Sequence, residues 1–159
     1  MTRQIFYSFH FGNDVMRVQQ VRNIGVIEEN KPVTPNKWEE IKRGGELAIK
    51  SWINKNIARA SCIVVLIGEE TYKSRWVKYE IEKAWNECKG LVGIYIHNLK
   101  DPRTGTSNKG KNPFEVISLK NGKKLSEYIP TYDAGSDAYN WIAKYLDQVV
   151  EKGIRSSRK

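Results

Sequence analysis

Two cysteines and two histidines in 159 residues leave little material for disulfide or metal chemistry. Cys62 stands in the apolar run SCIVVLIG, and Cys88 falls on the inner arc of a helix, so both are expected as buried free thiols. With His10 and His97 the only histidines and no Cys or His cluster, no metal site is expected. No apolar run approaches the ~20 residues that a membrane-spanning helix needs. The opening MTRQIFYSFHF lacks the basic, apolar and small-residue succession of a signal peptide. A soluble cytoplasmic protein, not attached to a membrane, is therefore expected. No internal repeat is visible.

Charge of one sign is also short. There are 18 acidic residues against 27 basic ones, a net +9 that favours anionic partners. The surplus is spread along residues 100 to 111 (KDPRTGTSNKGK) and the C-terminal RSSRK. No basic stripe alternates with stacking aromatics, so nucleic acid is not expected as a partner. Hydrophobic residues make up 40% and charged residues 28%, which suits one globular domain over residues 1–159. Residues 153–159 read as a basic, disordered tail.

Periodicity supplies the elements. Residues 3 to 9 (RQIFYSF) are a short β-favouring run, followed by a helix with Asn13 or Asp14 as N-cap and Val15, Val18 and Val21 inward. Residues 28 to 36 hold two prolines and two asparagines and read as loop. No strand is legible in residues 26 to 35. A helical pattern then carries Trp38, Ile41, Ala48, Ile49, Trp52, Ile53 and Ile57, broken at Gly44-Gly45. Residues 61 to 68 read as a strand buried on both faces, which favours a parallel sheet. A helix capped by Ser74 follows, then a strand over 91 to 97. Residues 98 to 113 are polar and suit a long, mobile loop. A short strand in VISL or LSEYI is expected between 114 and 133, and a helix over about 136 to 152. Strands alternating with helices give an α/β sandwich whose ligands gather beyond the carboxyl ends of a mostly parallel sheet.

One residue breaks the pattern. On a wheel of about 100° per residue with Trp76 at the origin, Val77, Ile81 and Ala84 fall on one arc. Glu80 falls at about 40°, between Trp76 and Ala84, on that same inward arc. It is either a structural acid paired with a lysine or a backbone N–H, or a functional carboxylate. Trp76 is either core or the wall of a pocket. Asp14 is either the cap of the first helix or a ligand contact, and Ser8 either a strand residue or a pocket hydroxyl. His10 by itself is a surface or capping histidine. Lys42 and Arg43 either face water or meet a pyrophosphate.

IFYSFHFGND, a strand ending in aromatic-Ser-aromatic with an acid shortly after, resembles the opening of a TIR domain. SRWVKYEIEKAW resembles the TIR segment in which Ser and Trp precede a Glu on a helix, and Trp76-x-x-x-Glu80 is the spacing of TIR domains that consume NAD. KWEEIKRGGELAIKSWIN, CIVVLIGEETYKSRWVKYEI, GIYIH and KGKNPFE extend the resemblance to the TIR-like family of the bacterial Thoeris anti-phage system, over most of residues 3 to 119. The resemblance implies a flavodoxin-like fold, a three-layer sandwich with a central parallel sheet. It implies an NAD glycohydrolase or ADP-ribosyl cyclase, with NAD as substrate and no separate cofactor. The signal would be a cyclic or conjugated ADP-ribose that activates a separate effector. Self-association with other TIR domains and a phage-derived trigger are implied with it, as is the alternative of a non-catalytic assembly module. On this footing Glu80 is the catalytic carboxylate, and Ser8, Phe9, His10, Asp14 and Trp76 surround the nucleotide. A glycosidic bond to a cationic nicotinamide breaks with positive charge on the ribose, which a nearby carboxylate stabilises. Nicotinamide leaves neutral, so no general acid is needed.

Overall fold

The computed structural model describes residues 4–24 and 35–157. Four parallel strands form one sheet in the order β1 (Ile5–Phe9), β2 (Cys62–Ile67), β3 (Gly90–Tyr95) and β4 (Thr131–Asp133). Ile5 pairs with Cys62, Cys62 with Gly90, and Gly93 with Thr131. All six residues of β2 are buried, as expected for a central strand covered on both faces.

Helices cover both faces, giving the flavodoxin-like three layers. Helix α1 (Phe11–Ile24) and the final helix, α5 (Ala138–Arg155), pack Val18, Val21, Ile142, Leu146 and Val150 on one face of the sheet. Helices α2 (Pro35–Arg43), α3 (Glu46–Arg59) and α4 (Arg75–Asn86) pack Ile41, Ile53, Ile57, Val77 and Ile81 on the other. Helices α1 and α2 thus lie on opposite faces, and β1 is the outer strand among the described residues. Between helices on opposite faces, a crevice can open at the carboxyl end of a strand.

The local signals act as expected in several places. Gly45, at φ 86°, breaks the Trp38–Ile57 pattern into α2 and α3. Ser74 caps α4, its hydroxyl accepting from the Val77 N–H at 3.2 Å.

Elsewhere the structure corrects the expectations. Helix α4 ends at Asn86, and Cys88 takes the left-handed position of the turn beyond it at φ 58°. The Lys89 N–H reaches the Ala84 carbonyl and the Cys88 N–H that of Trp85, which closes the helix and leaves Cys88 only half-buried. The strand between 114 and 133 is neither VISL nor LSEYI but the three residues Thr131–Asp133; tight 3-10 turns occupy Pro113–Val116 and Leu125–Glu127. Helix α5 runs on to Arg155, so the tail expected from 153 begins inside it. Gly153 is why: a Cβ there would lie 2.7 Å from Val92 Cγ1, and the missing side chain lets α5 settle on β3. A possible strand in residues 26 to 35 lies outside the described residues, save that Pro35 opens α2.

Residues 98 to 113, expected as a mobile loop, are tethered. Asp101 and Gly105 exchange backbone hydrogen bonds at 2.9 and 2.7 Å. The guanidinium of Arg17, on α1, donates to the Leu99 carbonyl at 2.9 Å and the Gly105 carbonyl at 2.8 Å. Leu99 and Asp101 are buried, and the Asn112 side chain caps the turn that follows. The segment has little apolar area, but distant polar anchors replace it.

Candidate active site

Glu80 is 6% exposed and faces β1 from the second turn of α4, with Val77, Ile81 and Ala84 buried beside it. The inward arc of the helix wheel is thus the packed face. Glu80 Oε1 accepts a hydrogen bond from the Ser8 hydroxyl at 2.7 Å. Among the described residues no cation lies within salt-bridge distance of it, so it is not the acid of a buried ion pair. Burial pushes its carboxyl up to about 8, and the Ser8 hydrogen bond opposes that rise without cancelling it.

A cavity of about 360 Å³ opens over Glu80 at the carboxyl end of β1. Its walls are mostly aromatic. Phe9 stacks on Phe11 with centroids 5.6 Å apart, Phe11 on Trp38 at 5.4 Å, and Trp38 meets Trp52 edge-on at 6.2 Å. Trp76 forms another part of the wall, and the Arg75 guanidinium lies over its ring, 4.6 Å from the centroid. Flat apolar rings around a single carboxylate suit a ligand that is aromatic and cationic at once.

The other expected site residues separate. Phe9, His10 and Trp76 line the cavity, so Trp76 is wall rather than core. Ser8 is fully buried beneath it and touches Glu80 instead of the open space. His10 turns out to be the cap of α1, its Nδ1 accepting from the Asn13 N–H at 3.1 Å. That bond leaves Nε2 as the place for the proton of the neutral ring. Lys42 reaches the cavity from α2.

Asp14 is neither cap nor wall. It is 1% exposed, lies against Gly68 at the end of β2, and pairs with Arg17 at 3.2 Å. Helix α1 begins at Phe11, so Asp14 already sits a turn inside it, on the face toward the sheet. Burial raises its carboxyl above the ordinary range, and Arg17 pulls in the opposite direction.

Sequence reasoning missed Trp38, Trp52 and Phe11 as wall residues. Trp38 and Trp52 belong to a helical pattern that by itself does not tell wall from core. The signal was the Gly44-Gly45 break between them: it folds α3 back beside α2, so two tryptophans on separate helices meet.

The chain matches the family model of the Thoeris protein ThsB, TIR-like domain, over residues 6–101. That span holds the aromatic wall and Glu80. The chain is also 32% identical over 165 aligned residues to a protein of Bacillus cereus (strain MSX-D12) named putative cyclic ADP-D-ribose synthase ThsB1. The alignment covers 98% of this chain and 85% of that relative.

Proposed function

The chain belongs to the TIR-like family of the Thoeris protein ThsB, and we propose that it is an NAD-consuming enzyme of anti-phage defence that makes a cyclic or conjugated ADP-ribose signal. The observation that carries this reading is the buried carboxylate of Glu80 on the floor of an aromatic cavity, bonded to Ser8 but, among the described residues, paired with no cation. A carboxylate held there without a cation is costly to ionise, and a cationic nicotinamide–ribose is a group that would offset the cost.

In this mechanism the aromatic wall of Trp38, Phe11 and Trp76 receives the nicotinamide end of NAD, and Lys42 at the cavity takes its phosphates. The bond between nicotinamide nitrogen and ribose carbon breaks, its electron pair leaving with neutral nicotinamide. Glu80 stabilises the positive charge that develops on the ribose and holds its hydroxyls. The apolar walls keep water from the ribosyl cation, which favours capture by a nucleophile of the nucleotide itself over hydrolysis. NAD is the substrate and no separate cofactor is required. The product carries the message to a separate effector, from a cytoplasmic enzyme that self-associates with other TIR domains and answers a phage-derived trigger.

The test is incubation of the purified protein with NAD, alone and with lysate of phage-infected cells, followed by chromatography and mass spectrometry. Release of nicotinamide with a matching ADP-ribose derivative supports the reading. NAD left intact under both conditions would favour a non-catalytic assembly module.

A further inference from the structure

The hydroxyl of Ser8 is fully buried on β1, and Glu80 approaches it from α4, 72 positions away in the chain. Strand and helix meet there because Phe6 and Ser8 share the face of β1 that α4 covers, with Phe6 packed in the same apolar layer as Val77 and Ile81. A serine at this place in a strand interior has no packing advantage over alanine or valine. Its hydroxyl has to be satisfied, and the 2.7 Å bond to Glu80 Oε1 does so.

We propose that Ser8 is a positioning residue for Glu80: by donating to Oε1 it fixes the carboxylate rotamer, leaves Oε2 for the ribose, and makes the charged, reactive form easier to reach. This rests on the functional reading above. A hydrogen bond donated to a carboxylate is charge-assisted and favours the ionised state. Tyr7 also borders the cavity but packs in the apolar layer on the other face of the sheet; the remaining charged or titratable groups at the cavity are His10, from the β1–α1 junction, and Lys42, from α2. Neither makes a hydrogen bond or salt bridge to Glu80, so among the described residues Ser8 alone is positioned to counter its burial.

The decisive experiment compares the parent with Ser8→Ala by two readouts. One is the pH profile of NAD turnover with trigger present. The other is titration of the Glu80 carboxyl carbon by NMR on glutamate-labelled protein, with the signal assigned by its loss in Glu80→Gln. Loss of one charge-assisted hydrogen bond should move the Glu80 titration and the alkaline rise of turnover upward together by about one pH unit or more, lowering turnover about tenfold at pH 7. In a Glu80→Gln background, Ser8→Ala should cost no further activity. If Ser8→Ala lowers turnover equally at every pH and leaves the Glu80 signal unmoved, the assignment is overturned. Should the parent fail to turn over NAD at all, the functional reading falls, and the NMR titration still decides whether Ser8 controls Glu80. If Ala at this buried position unfolds the protein, Ser8→Cys is read instead, and its weaker donor should give a smaller shift of the same sign.

Discussion

Replacing Glu80 by Gln separates catalysis from structure through the pH dependence of stability. Burial raises the folded-state carboxyl from 4.5 to about 8. Between those values the folded protein keeps a proton that the unfolded chain has released. Native stability therefore falls as pH rises from about 4.5 to about 8 and then levels off. A gap of about 3.5 pH units at about 1.4 kcal/mol each makes the full effect about 5 kcal/mol. Gln has no proton to lose and still accepts from Ser8, so the variant lacks this slope. Relative to the parent it should gain almost nothing at pH 4, about 3 kcal/mol at pH 7 and about 5 kcal/mol above pH 9. The unpartnered amide N–H of the new side chain adds a cost that is constant with pH. Urea unfolding of both proteins from pH 4 to 9 measures the difference, and NAD turnover on the same preparations should fall about 100- to 1000-fold. A variant destabilised by about 3 kcal/mol at every pH, as when one partner of a buried ion pair is removed, would refute the reasoning. So would a variant that keeps its turnover.

Turnover of the parent should itself follow pH: kcat/KM, which reports the free enzyme, should rise to a plateau above about pH 8. The rise in kcat should come at lower pH, because bound nicotinamide cation favours the carboxylate; a kcat/KM that stays flat from pH 6 to 9 contradicts the site. Arg17→Gln should release the 98 to 113 segment and strand the buried Asp14 carboxylate, costing about 3 kcal/mol or more. Hydrogen exchange at the Gly105 amide should speed up with it, and unchanged protection there would remove Arg17 as the anchor. Gly153→Val should cost about 1–3 kcal/mol in denaturant unfolding, because the added atoms meet Val92 on β3; full stability would mean that α5 has room to lift.

Features set by near neighbours in the chain were open to reading from the sequence alone. The all-apolar run CIVVLI made β2 a central parallel strand, and helical spacing turned Glu80 onto the packed face of α4 beneath its Ser74 cap. The Gly44-Gly45 break was equally plain. Other assignments depended on which distant residues meet. Ser8 became the partner of Glu80, and His10 rather than Asp14 the cap of α1, only when strand, turn and helix were placed together. Strand β4, three residues long, is too short to show a period, and its existence depends on pairing with β3. The polar stretch from 98 to 113 lacks the apolar area that sequence reading uses to infer order; Arg17, as far as 88 residues away, supplies its anchor through hydrogen bonds that composition does not reveal. Local spacing dictates which way a side chain faces, whereas what it meets there is decided by packing of segments remote in the chain, and for the carboxylate of Glu80 that meeting sets its charge.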